Sequence, residues 1–243
     1  EALTQKHGAK LIAYLPYASQ NIWRRLDRKL SQLFSVGEAG VYKSFGTTRF
    51  VQPVLTIVQK NEAKKTAREI AAGLQSKTDI ENITVDGVWL GDLIYDTFLR
   101  NFNKPTIELS DPDFMPFLED AMKAYVFWKN YFNHHDVRAV NTSHCVYLHA
   151  IPLRVALNRG IAAYQVNATH VYRINDEQLF AYTDSNDFHD NFIALPIETQ
   201  TDGMAEAKQR VDLRFAGKIG VDMVYSKKSA FGDFIDKRLI VES

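Results

Sequence analysis

Short apolar runs alternate with amphipathic stretches along this chain of 243 residues. The run AKLIAYLPY at 9–17 is typical of a buried strand, because a short apolar segment leads into a proline and a turn. Residues 19–35 then carry apolar side chains at the period of an amphipathic helix. Glycines punctuate residues 37–50, which favours a loop or a short strand there.

The same patterning predicts longer helices further along the chain. They are expected at 61–76, 92–102, 114–135 and 205–218. An extended segment with a turn at Asp86-Gly87 precedes the second of them. The third is rich in aromatic residues, and we expect most of these rings to belong to the core.

The clearest unit combines two strands and a helix. VRAVNTSHCVY at 137–147 predicts a strand, LHAIPLRVALNRG at 148–160 a helix, and IAAYQVN at 161–167 a second strand. This is the βαβ unit, which implies parallel pairing of its strands. Together with the strand near the N-terminus and its helix, the unit predicts an α/β fold. We expect a Rossmann-like open, mainly parallel sheet with flanking helices, which binds ligands at the carboxyl ends of its strands.

The pattern changes after the second strand of this unit. We expect residues 1–195 to form the Rossmann-like domain and residues 196–243 to form a helical connection toward a second domain. The last stretch has no room for another complete sheet domain. We therefore expect the chain to be one part of a longer protein.

Composition and charge narrow the class of protein. Lys plus Arg equals Asp plus Glu at 29 each, so no global positive charge favours nucleic acid. The single cysteine, Cys145, excludes an internal disulfide and favours a reducing compartment. No apolar run is long enough to span a bilayer, and the known phosphate-binding glycine motifs are absent. The adjacent His134 and His135 make a poor metal chelate, because neighbouring side chains on a helix diverge.

Three charges on one stripe of the helix at 92–102 form the first candidate site. Asp92, Asp96 and Arg100 are spaced four apart and share a face in otherwise apolar company. One interpretation is structural: Asp92 satisfies free amides at the helix start, and Asp96 pairs with Arg100. The other is functional, with a half-buried carboxylate acting as a general base near the arginine.

The ends of the two strands in the βαβ unit form two further candidates. Ser143, His144 and Tyr147 cluster where the first strand is expected to end, and Arg154 on the following helix offers a bidentate fork for a phosphate or carboxylate. After the second strand come three more polar side chains, Asn167, His170 and Arg173.

Two stretches resemble the N-terminal half of bacterial capsule and surface-polysaccharide biosynthesis proteins. They are VDGVWLGDLIYDTFLR, which carries the pattern G-x-x-x-G-D-x-x-Y-D-x-x-x-R, and SHCVYLHAIPLRVALNRGIAAYQVN. Those proteins are similar to glycosyltransferases of the GT-B type, in which two Rossmann-like domains face a cleft. The resemblance implies transfer of a sugar from a nucleotide donor to a growing glycan. The nucleotide-binding C-terminal domain is expected to lie outside this chain, so the chain alone is expected to be inactive.

The resemblance and the candidate sites together assign roles to residues. Asp92 is expected to be the catalytic or acceptor-positioning carboxylate, facing the ligand, with Asp96 as the second catalytic candidate. The substrate-binding set is Gly91, Arg100, His144, Tyr147, Arg154 and Asn167. No metal and no cofactor are expected, because GT-B enzymes neutralise phosphate with side chains and helix N-termini.

The expected partners follow from the same resemblance. They are a nucleotide-sugar donor, a glycan acceptor and a second domain or subunit that completes the cleft. Nucleic acid is not an expected partner, because the charges balance. The expected location is cytoplasmic, with peripheral association at the inner face of the membrane. Two alternatives stay open: a non-catalytic glycan-binding or assembly subunit, and a nucleotide-sugar epimerase on a similar fold.

Overall fold

A computed structural model describes residues 4, 8–14, 30, 33–167, 170–182 and 187–218. Most of the helix predicted at 19–35 lies outside these residues. The chain divides into two compact units, Glu1–Ala181 and Tyr182–Ser243. The assignment of 1–195 to one functional domain stays a prediction.

Helices and short strands make up the described part of the first unit. The strands are β1 (Leu11–Tyr14), β2 (Thr47–Val51), β3 (Thr84–Val85), β4 (Val88–Trp89), β5 (Ala139–Thr142), β6 (Ala162–Val166) and β7 (Val171–Ile174). The helices are α1 (Gly37–Ser44), α2 (Ile57–Gly73), α3 (Lys77–Glu81), α4 (Gly91–Phe102), α5 (Phe114–His134) and α6 (Ile151–Leu157), with a 3-10 turn at Leu148–Ala150 in front of α6. The second unit contains α7 (Phe188–Ile193) and α8 (Ile197–Phe215).

The described strands form small sheets. β1 pairs in parallel with β2, and β3 forms an antiparallel hairpin with β4. β5 pairs in parallel with β6, which pairs antiparallel with β7. The α/β prediction and the βαβ unit are therefore confirmed, and the parallel strands lie in separate pairs among the described residues.

Two local predictions are corrected by the structure. Residues 37–50 form α1 and most of β2 rather than a loop or a short strand alone. The helix predicted at 61–76 begins earlier, at Ile57, because Thr56 and Gln59 form a reciprocal capping box. The Gln59 amide donates to the Thr56 hydroxyl at 3.2 Å, and the Thr56 amide donates to the Gln59 side chain at 2.9 Å.

The core of the first unit forms around α5. Its aromatic face is buried as predicted, including Phe117, Tyr125 and Trp128. Helix α2 packs against α5, and it presents Ala63 and Ala67, which are completely buried. Small side chains at this contact let the two helix backbones approach closely. The aromatic side chains of α5 are therefore committed largely to packing.

Candidate functional site

Helix α4 carries the stripe of three charges. It spans Gly91–Phe102, as predicted to within a residue, and its opposite face is buried through Leu93, Ile94 and Phe98. The start of α4 lies so close to α3 that a Cβ on Gly91 would be 2.1 Å from the Glu81 carbonyl oxygen. Gly91 is buried and is required for this close approach, so packing rather than substrate contact explains the glycine.

Asp92 does not cap the helix, and one of its two carboxylate oxygens is paired within the chain, while the buried Oδ1 has no hydrogen-bond partner among the described residues. Its Oδ2 accepts a hydrogen bond from the Arg154 guanidinium at 2.7 Å. The side chain of Arg154 is 3% exposed and that of Asp92 18%. Arg154 also donates to the Trp89 carbonyl at 3.3 Å and lies 4.9 Å from the centre of the Trp89 ring. The expected phosphate-binding fork of Arg154 is therefore occupied by a carboxylate of this chain.

Asp96 is the exposed carboxylate of the stripe. Its pKa is raised, first because neighbouring groups displace part of its water, and then because Asp92 and Glu81 carry negative charge nearby. A raised pKa makes a carboxylate a stronger base when it is ionised. Of the two predicted catalytic carboxylates, Asp96 is the one whose position and electrostatics suit proton transfer.

Arg100 does not form the predicted ion pair with Asp96. No salt bridge joins the two side chains, although the structure describes both. The guanidinium instead lies 4.8 Å from the centre of the Tyr147 ring. The negative face of that ring attracts the cation, so Arg100 contacts Tyr147 rather than Asp96, its i,i+4 neighbour. The stripe therefore joins α4 to the loop that follows β5.

This loop, residues 143–147, has an unusual backbone. His144 is exposed two residues after the end of β5, at the edge where the prediction located it. Tyr147 has φ 60° and ψ −178°, a region that is populated almost only by glycine. Such strain persists only where the surroundings enforce it.

Hydrogen bonds from neighbouring elements hold the strained loop. The Leu148 amide donates to the Thr97 hydroxyl of α4 at 2.9 Å, and the Thr97 hydroxyl donates to the Leu93 carbonyl at 2.6 Å. The Cys145 amide donates to the side chain of Gln165, which is buried in β6, at 2.7 Å. These hydrogen bonds fix the backbone on both sides of Tyr147, whose ring lies beneath Arg100.

His149 joins this group, although the sequence did not single it out. The pKa of His149 is lowered, first by loss of water around the ring and then by the charges of His144 and Arg100. His149 is therefore within electrostatic reach of two residues that were predicted, His144 and Arg100. The sequence signal that could have identified His149 is its position: it lies five residues after His144, across the turn that leads into α6.

The remaining predicted residues lie elsewhere on the same sheet or stay outside the cluster. Asn167 is at the carboxyl end of β6, next to β5, but its side chain accepts the His170 amide at 2.7 Å in the turn toward β7. The His170 ring stacks on that of Tyr172. The hydrogen bond within the turn thus accounts for the Asn167 side chain. Ser143 is exposed at the end of β5.

Cavities among the described residues of the first unit include two that lie away from the exposed cluster. One of about 120 Å³ is lined by Trp89, Arg154 and Asp176, among others. A larger one of about 370 Å³ includes Lys129, which bridges Glu62 at 3.2 Å and Asp86 at 2.8 Å. The described residues contain no group of three metal-ligating side chains close enough to hold an ion. They also contain no helix long and apolar enough to cross a membrane.

Comparison of the chain with protein-family models, curated proteins and solved structures finds no match. The resemblance to capsule biosynthesis proteins therefore stays a prediction that rests on two motifs. The geometry around Asp96 and Arg100 has to be interpreted from its own chemistry.

Proposed function

We propose that this chain is the acceptor-side part of a glycosyltransferase that builds a cell-surface polysaccharide. The observation that carries the proposal is the cluster at the carboxyl end of β5. Arg100 lies over the Tyr147 ring there, and Asp96, a carboxylate with a raised pKa, lies one helical turn earlier on α4. Parallel α/β sheets commonly bind ligands at this edge.

Asp96 is the general base in this proposal. The acceptor hydroxyl attacks the anomeric carbon of the donor sugar, its proton passes to the Asp96 carboxylate, and the bond to the nucleotide phosphate breaks. Asp92 does not touch the acceptor. Its ion pair with Arg154 anchors the start of α4, and its negative charge helps to raise the pKa of Asp96.

The proposal extends to the rest of the protein. The fold is Rossmann-like in this proposal, although β1–β2 and β5–β6 lie in separate sheets among the described residues. A second domain or subunit binds the nucleotide and completes the cleft. The protein works on the cytoplasmic side of the membrane. An aromatic glycan platform on α5 is disfavoured, because those rings are largely buried in the core. This argues for catalysis over simple glycan binding.

The experiment uses the natural full-length protein. It is incubated with a panel of nucleotide sugars and a lipid-linked acceptor, and sugar transfer is measured for wild type and Asp96→Asn. Loss of a positioned base should lower the rate by about a hundredfold or more. Asp120→Asn, on the exposed part of α5, is the matched control and should keep full activity. Absence of transfer with every donor, or full activity in Asp96→Asn, would refute the proposal.

A further inference from the structure

Helix α8 carries an exposed apolar stripe. Ile197, Met204 and Val211 are spaced seven residues apart, which places them on one face of the helix. Their exposed fractions lie between 49% for Val211 and 75% for Ile197. None of the 19 residues of α8, all of which the structure describes, is buried. Because helices in proteins gain most of their stability by packing an apolar face, this stripe is suited to a partner.

Helix α7 packs on a different face of α8. A Cβ on Gly203 would lie 3.6 Å from the Phe192 ring, and the Gln200 side chain donates to the Leu195 carbonyl at 2.8 Å. Successive residues of an α-helix are about 100° apart, so Gly203 does not share a face with Met204. The contact with α7 is therefore separate from the stripe.

The charges of α8 are segregated by sign along the helix. The acidic side chains dominate its first half and the basic side chains its second half. They are Glu198, Asp202 and Glu206 in the first ten residues, and Lys208, Arg210 and Arg214 in the last nine, where Asp212 is the one acid. The two ends of the helix therefore carry opposite charge.

The helix dipole and local pairing do not account for this segregation. The dipole acts within the first and last turns, whereas the charges from Asp202 to Arg210 lie between them. Arg210 pairs with Glu206 at 3.3 Å, and Lys208 pairs with Asp212 at 2.6 Å. These four side chains are at least 59% exposed, and such surface pairs contribute little to stability. Their charges can therefore exchange local partners for those of a second helix.

We propose that two copies of this chain associate through α8, with the two helices antiparallel. The acidic half of each helix then faces the basic half of the other, whereas a parallel pair would place like charges together. The two-fold axis passes near Met204, the middle residue of the stripe, and Ile197 of one copy approaches the partner's Val211. Thr201 and Lys208 lie in the same seam, so the dimer is weak. Association of this kind is independent of the proposed function.

Sedimentation velocity over a dilution series of the full chain measures self-association. A seam of 19 residues, about 28 Å long, suits a dimer with a Kd on the order of 10 μM. Met204→Lys places two like charges near the axis and should raise the Kd by at least about tenfold. Leu213→Lys is the matched control, because Leu213 is exposed on the opposite face of α8, and it should leave the Kd unchanged. Circular dichroism checks that both variants keep their helix content.

Charge reversal separates a matched interface from a damaged helix. One double variant combines Glu198→Lys with Asp202→Lys, and the other combines Lys208→Glu with Arg210→Glu. Each should lose self-association, because both halves of its helix then carry the same sign. An equimolar mixture of the two should form a mixed dimer. A helix that had only unfolded would not recover on mixing.

Disulfide cross-linking reports the orientation of the two helices. The native Cys145 is buried, so it does not compete. A mixture of Asp202→Cys and Arg210→Cys should link the two variants to each other in preference to identical copies. Preferential links between identical copies would overturn the antiparallel arrangement.

Three results would overturn the interface itself. They are equal effects of Met204→Lys and Leu213→Lys, no recovery in the charge-reversed mixture, and a chain that stays monomeric well above the expected Kd. A monomeric chain would leave the stripe to another segment or another protein.

Discussion

Replacing Asp92 by asparagine should destabilise the first unit. The variant keeps an oxygen that can accept one hydrogen bond but removes the negative charge beside Arg154, whose side chain is 3% exposed. Removing one partner of a buried ion pair costs about 3–5 kcal/mol. Asp92 is 18% exposed and asparagine remains an acceptor, so we expect a loss of about 2–3 kcal/mol in the free energy of unfolding.

This loss corresponds to a clear change in thermal stability. For a chain of this size, 1 kcal/mol shifts the melting temperature by about 2–4 °C, so Asp92→Asn should melt about 4–12 °C lower. Circular dichroism melts and urea titrations measure the effect. Asp120→Asn, which removes an exposed charge paired with Lys123, should stay within about 0.5 kcal/mol of wild type.

A double variant isolates the ion pair. Arg154→Met in the Asp92→Asn background removes the uncompensated charge and keeps much of the volume, so it should recover part of the lost stability. Unchanged stability in Asp92→Asn would refute the reasoning. So would a double variant whose loss in the free energy of unfolding equals the sum of the losses in Asp92→Asn alone and Arg154→Met alone. Either result would mean that the pair does not support the start of α4.

Three further perturbations test neighbouring features. Gly91→Ala should cost about 1–3 kcal/mol in urea titrations, because its Cβ meets a backbone oxygen at 2.1 Å, whereas Gly73→Ala, with open space around it, should not destabilise. Thr97→Val should cost about 1–3 kcal/mol by the same assay, because it leaves a loop amide unpaired. The pKa of Asp86 is lowered, chiefly by its hydrogen bond with Lys129, so its stabilising effect should be present above the ordinary aspartate pKa of about 3.9 and fade as the pH falls further. Lys129→Met should reduce that pH dependence, and the hydrogen bond from Tyr125 should keep part of it. Equal stability of Gly91→Ala and Gly73→Ala would contradict the first expectation.

Local sequence patterns predicted the elements that carry the site. Helices α4 and α5 have strong apolar periodicity, and the βαβ unit has a continuous strand, helix and strand signal within one short segment. The elements at residues 37–50 were harder to predict from the sequence, because glycines obscure the periodicity that identifies α1 and β2.

The partners of the charged residues could not be predicted in the same way. Asp92 and Arg154 are 62 positions apart, and no local spacing connects them. The four-residue spacing of Asp96 and Arg100 suggested an ion pair, but a ring from a distant loop competes for the arginine. Tertiary contacts decide such choices, and they depend on packing that a single sequence does not display.

The pH dependence of sugar transfer tests the central claim most directly. The measurement is kcat/KM of the natural full-length protein, as wild type and Asp96→Asn, from acidic to neutral pH. A base must be ionised to act, and the pKa of Asp96 is raised, so wild-type activity should fall on the acidic side with a midpoint above the ordinary aspartate value. The variant should lose about a hundredfold in rate together with this acidic limb. A variant that keeps both the rate and the limb would contradict the assignment of Asp96 as the base.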